Sequence, residues 1–162
     1  MLDPEHFRRH VIRPSLLRLG LQSPAAEALL LGTALTESGL ARLVQTGGGP
    51  ALGVYQIEPA THTDIWRHYL AYHPGLAARV LSLAAGGFGH PEQLVWNLAY
   101  ATAMARLVYR RRAEPMPAAT DLPGLAAYWK AHFNTAAGKG TAADYIERAG
   151  PILHDSERRR HL

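Results

Sequence analysis

Glu37 is the residue whose type and place invite chemistry. It lies in the last turn of an otherwise apolar run, Ala-Ala-Glu-Ala-Leu-Leu-Leu-Gly-Thr-Ala-Leu-Thr-Glu-Ser over 25–38, just before a glycine-rich stretch. The C-terminal end of a helix dipole is negative, and apolar surroundings disfavour a charge; both effects should raise the carboxyl pKa. A carboxyl still protonated near neutral pH is a general acid. An exposed glutamate at a frayed helix end is the other meaning that position alone allows. Glu58 and Asp64 are the available second carboxylates, although a helix-start charge and a solvated face account for them equally well. His6 and His10 stand four apart on one helix face without a third ligand, so neither a metal nor another cofactor is expected. Gly138-Lys139-Gly140-Thr141 lacks the spacing of a phosphate loop and has no strand before it; a loop feeding a capped helix is expected there.

The elements that must position Glu37 are mostly helical. Asp3-Pro4 and Ser23-Pro24 pair an N-cap with proline at the first helical position. The first helix should be kinked or broken at Pro14 and end at Gly20. The second, over 24–38, is apolar nearly all round, which marks a helix in the centre of a fold, with Gly39 just past its end. A long irregular stretch over 40–58 follows, and within it Gly53-Val54-Tyr55-Gln56-Ile57 predicts a short strand. Further helices are expected over 59–72, 76–85 and 122–133, with the longest over 91–112. Thr141 and Asp144 form a capping box for a last helix ended by Gly150-Pro151, leaving 152–162 as a frayed tail. No repeat or linker divides the chain. The expectation is one mainly α domain over 1–162.

Particular words along the chain carry a resemblance. Leu35-Thr36-Glu37-Ser38-Gly39, followed by Gly53-Val54-Tyr55-Gln56-Ile57-Glu58-Pro59-Ala60-Thr61, resembles the signature of soluble lytic transglycosylases and goose-type lysozymes. Asn97-Leu98-Ala99-Tyr100-Ala101 is similar to that family's Asn-Leu helix. Tyr128-Trp129-Lys130-Ala131-His132-Phe133-Asn134-Thr135 is similar to its third block, which ends in a Tyr-Asn pair. The resemblance is strongest over 25–145. It implies a lysozyme-like α+β fold, with 53–57 as a β-like segment beside a cleft. It also implies that Glu37 is the single catalytic acid/base, that Ser38 contacts substrate or steadies the loop, and that Tyr55 and Gln56 line the cleft. Asn134 would sit opposite Glu37, and Trp129 could stack on a sugar ring.

The activity so implied is cleavage of the bond between N-acetylmuramic acid and N-acetylglucosamine in peptidoglycan glycan strands, with 1,6-anhydro products and no cofactor. Two departures stand out. Phe133 occupies the place of the family tyrosine, whose hydroxyl can reach the catalytic carboxyl, unless Tyr55, Tyr100 or Tyr128 substitutes. Leu40-Ala41-Arg42-Leu43 replaces the usual Asn-Pro. A hydrolysing muramidase is the nearest alternative. A virion structural or adaptor protein that keeps the fold but has lost most activity is another, which Phe133 favours.

The 162 residues, 48% hydrophobic, suit one core. The absence of cysteine excludes disulfides, thiolate zinc sites, iron–sulfur clusters and thiol nucleophiles. No apolar run approaches a membrane span, and Asp3-Pro4-Glu5-His6 does not open a signal peptide. A route to the wall would then lie in a lysis cassette or a bacteriophage particle, with other virion or tail proteins as partners. The net charge of +4 is a mild basic bias, and Arg110-Arg111-Arg112 and Arg158-Arg159-Arg160 are short clusters. With no nucleic-acid motif around them, they suit solvated helix ends and the attraction of an anionic wall better than a nucleic-acid partner.

Overall fold

Asp3, Ser23 and Asp121 each accept a hydrogen bond from the backbone N–H three residues on, at 2.9, 3.1 and 3.0 Å, and each starts a helix. The computed structural model describes residues 1–134 and 138–160; Thr135 of the third motif block and His161 and Leu162 of the tail lie outside the described residues. The chain is mainly helical. α1 (Pro4–Phe7) runs through one π turn (Arg8–Ile12) into α2 (Arg13–Leu19). Pro14 has no N–H to give, and the widened turn before it absorbs the mismatch, so the segment bends without ending.

α3 (Pro24–Glu37) is the central element. Every residue from Ala26 to Thr36 is buried, as its all-round apolar character predicts, and the chain leaves it through Gly39 at φ 64°. Near its N-terminal end Glu27 is fully buried yet charged. Arg8 Nη1 at 2.8 Å, Arg13 Nε at 3.1 Å and Gln22 Nε2 at 2.6 Å donate to it. Burial works to raise its pKa, but the hydrogen bonds from Arg13, Gln22 and Arg8 win, and the carboxyl is held below the usual range.

α4 (Pro59–His68), a 3₁₀ turn (Leu70–Tyr72) and α5 (Pro74–Leu81) lead to α6 (Gln93–Trp96) and α7 (Leu98–Arg110). The single long helix expected over 91–112 is therefore two. Asn97 interrupts it: its Oδ1 accepts from Tyr100 N–H at 3.1 Å and caps α7, while its Nδ2 donates to Leu83 O at 2.9 Å. The bond to Leu83, which lies well outside the helix, holds Asn97 at non-helical dihedrals.

α8 (Leu122–Trp129) continues as a π turn (Lys130–Asn134), and α9 (Ala142–Arg160) closes the chain. The capping box forms in both directions, Thr141 N–H to Asp144 Oδ2 at 2.8 Å and Asp144 N–H to Thr141 Oγ1 at 3.2 Å. α9 does not stop at Gly150-Pro151. It carries Pro151 inside and runs on to Arg160, because the segment expected to fray is anchored: Leu153 and Ser156 are buried, and Ser156 Oγ donates to Glu5 Oε2 at 3.1 Å. α9 packs chiefly on α3 and α8. At Gly32 of α3 the Tyr145 hydroxyl fills the space a Cβ would take. One hydrophobic cluster, from Phe7 to Leu153, unites these helices. Among the described residues, no helix is long and apolar enough to cross a membrane.

The 53–57 segment is a turn, not a strand. Leu52 and Ile57 exchange two backbone hydrogen bonds, at 2.9 and 3.0 Å, and enclose the four residues between them. Isolated antiparallel bridges, Val44 with Leu52 and Leu52 with Ile57, are the only β pairing among the described residues. Gly53 (φ 77°) and Gln56 (φ 51°) both adopt left-handed dihedrals that an extended strand excludes. A Cβ on Gly53 would lie 1.8 Å from Leu94 O. Gly53→Ala should therefore destabilise the protein by roughly 2–5 kcal/mol, the sum of left-handed strain and overpacking, measurable by urea titration.

Candidate active site

Glu37 is the last residue of α3, and its side chain enters a cleft of about 480 Å³. Gln45, Gln56, Glu58, Thr61, Phe133 and Asn134 share the walls with it. Removal from water pushes the Glu37 carboxyl up to about 7, against the opposing pull of a hydrogen bond from Trp129 and the positive charge of Arg148. The helix terminus adds less than its position suggests. Arg148 Nη1 donates to Thr36 O at 2.7 Å and Arg42 Nη2 to Glu37 O at 3.3 Å, so two guanidinium groups answer the last carbonyls. Burial, not the dipole, carries the shift.

The loop side of the cleft is fixed to α3 through Ser38. This serine is buried; its hydroxyl donates to Val54 O at 2.7 Å and accepts from Leu40 N–H at 3.2 Å. Both bonds are internal, so Ser38 steadies the loop and is not a wall of the cleft. Gln56 follows in the same turn. Its Nε2 donates to Gly53 O at 2.9 Å, which leaves the amide oxygen for a ligand. Tyr55 points the other way, fully buried, with its hydroxyl 2.9 Å from Thr102 Oγ1, so it is a core residue and cannot touch a ligand. Though adjacent in one turn, Tyr55 thus faces the core and Gln56 the cleft.

The opposite wall comes from the π turn after α8. Asn134 is held by Lys130, whose Nζ donates to Asn134 Oδ1 at 2.7 Å and to Gly138 O at 3.0 Å. Phe133 lines the cleft and packs on Tyr109, with ring centroids 5.3 Å apart. Trp129 is only 1% exposed, so neither ring face is open for stacking on a sugar; instead its Nε1–H donates to Glu37 Oε1 at 3.3 Å. Tyr128 and Tyr100 spend their hydroxyls elsewhere. Tyr128 donates to Glu114 O, and the Tyr100 hydroxyl is engaged by His62 and Trp66.

The structure thus brings Glu37, Gln56 and Asn134 to one cleft and turns Ser38, Tyr55 and Trp129 away from it. Sequence reasoning missed Gln45 and Thr61 in the walls and Lys130 and Arg148 behind them. The four-residue spacing of Lys130 and Asn134 was a readable signal; Gln45 lies in an aperiodic loop and offered none. Asp64, the other second-carboxylate candidate, is paired with Arg111 at 2.6 Å and is not among the lining residues. Among the described residues no cluster of three metal-ligating side chains forms. No family model matches the chain, and no curated protein or solved structure matches it.

Proposed function

We propose that this chain is a lysozyme-like peptidoglycan lytic transglycosylase with Glu37 as its single acid/base. The observation that carries this reading is a carboxyl with a pKa raised to about 7 at the wall of an open cleft whose other polar lining includes the amides of Gln45, Gln56 and Asn134. A neutral carboxyl donates a proton, and amides suit the hydroxyl and N-acetyl groups of amino sugars. The three motif words of the sequence, around Glu37, Gln56 and Asn134, support the same substrate class by resemblance.

In the reaction, Glu37 gives its proton to the glycosidic oxygen as the bond from that oxygen to C1 of the muramic residue breaks. The carbonyl oxygen of the substrate's own 2-acetamido group supplies electrons to C1, so no protein nucleophile is needed. Glu37, now ionised, takes the proton of the C6 hydroxyl, and O6 attacks C1 and displaces the acetamido oxygen. The product is a 1,6-anhydro ring, and Glu37 is protonated again. A pKa near 7 suits one group that must act first as acid and then as base.

Glu58 favours a second reading. It lines the same cleft, and a second carboxylate could direct a water to C1 and give hydrolysis. Purified protein incubated with isolated sacculi should release soluble muropeptides, and their mass separates the two reactions. Anhydro ends are one water lighter than reducing ends. Reducing ends alone would assign the chain to the muramidases, and no release at all would leave the virion-adaptor reading.

A further inference from the structure

The Glu37 carboxyl has one hydrogen-bond partner among the described residues, and it is the indole of Trp129. The ring is locked. It is 1% exposed, it packs on Tyr145 with centroids 5.8 Å apart, and a Cβ on Gly140 would lie 2.6 Å from its edge. An indole N–H only donates, so the oxygen it meets must accept in both protonation states of the carboxyl. Phe133, the residue that replaces a hydroxyl-bearing tyrosine in the third block, offers Glu37 nothing. A hydroxyl in that place could donate to one oxygen or accept from it, and would leave the site of the acid proton open.

We propose that Trp129 is the positioning residue of Glu37: its N–H occupies Oε1 and thereby places the acid proton on Oε2, the oxygen with no partner among the described residues. This rests on the reading of Glu37 as the acid. The indole therefore does the orienting work from behind the carboxyl, one helical turn before Phe133. Among the described residues, the other charged or titratable groups facing Glu37 are Arg148 on α9, Arg42, whose Nη2 reaches Glu37 O, Glu58 in the same cleft and Tyr109 on α7, and all four remain when Trp129 is changed.

The test follows the Trp129 indole N–H and the Glu37 carboxyl carbon by NMR between pH 4 and 9. In the parent the two should titrate together with a midpoint near 7, and the indole response should vanish in Glu37→Gln. This measurement needs no change at Trp129, so it decides the matter whether or not the buried ring tolerates substitution. In Trp129→Phe the Glu37 midpoint should move up by about one pH unit, because the lost donor favoured the ionised form. On sacculi, kcat should fall about tenfold with KM nearly unchanged, and the alkaline limb of the kcat profile should move up with the midpoint. An indole resonance that stays flat through the Glu37 titration overturns the proposal, as does an unmoved Glu37 midpoint in Trp129→Phe. A parent that cleaves no glycan sinks the acid reading instead, and the NMR titration still decides whether the indole holds the Glu37 carboxyl.

Discussion

At pH 8, Glu37→Gln should be about 3 kcal/mol more stable than the parent while releasing muropeptides 10²–10⁴-fold more slowly. The stability gain follows from where the proton resides. The unfolded chain gives up the Glu37 proton near the ordinary value of 4.5, whereas the folded protein keeps it to about 7. Between those values the native state binds more protons than the unfolded state, so the parent loses stability as pH rises. The loss is absent below 4.5 and complete above 7. Each pKa unit corresponds to 1.36 kcal/mol, and a gap of roughly 2.5 units gives about 3 kcal/mol. Glutamine keeps the shape and still accepts from the Trp129 indole, but has no charge to bury. Urea titrations at pH 4 and pH 8 check this: the two proteins should agree at pH 4 and separate at pH 8. A pH-independent difference would mean that the carboxyl is solvated and the acid assignment is wrong.

Glu27→Gln, the same substitution near the other end of α3, should do the opposite and destabilise by about 1.5–3 kcal/mol at neutral pH. Arg8, itself 3% exposed, would keep Glu5 but lose Glu27, and the partly exposed Arg13 would lose its carboxylate, so charge-assisted hydrogen bonds are lost without any guanidinium being stranded wholly unpaired. The pH dependence is also inverted. Glu27 has a depressed folded pKa, so its contribution is present above 4.5 and disappears as pH falls through the folded value. The variant should thus lack part of the parent's acid sensitivity. Thermal melts from pH 7 down to pH 3 would show the gap between the two proteins closing.

Elements whose causes are local were legible in the sequence. The N-caps at Asp3, Ser23 and Asp121, the Thr141–Asp144 box and the buried run of α3 each depend on residues within one or two helical turns, and each stands where it was expected. The place of Glu37 at the end of α3 was readable for the same reason. What escaped depends on distant partners. The break at Asn97 needs the carbonyl of Leu83, and the continuation of α9 past Pro151 needs Glu5 and the packing of Leu153. The left-handed Gln56, which turns a supposed strand into a loop and sends Tyr55 inward, has no local signature. The sugar stacking expected of Trp129 rests only on its nearness to the third motif block. Only the crossing of α8 and α3 reveals that its polar edge meets Glu37.

Gly53 rests so tightly on Leu94 O that nothing larger than a hydrogen fits between them. The turn bearing Gln56 is thus registered against α6, a four-residue helix whose far end is set by Asn97. Acid and amide are spaced like jaws of a gauge, with α3 as one arm and α6 as the other. Lengthening or tilting that small helix would reset the gap between them even though none of its side chains reaches the opening.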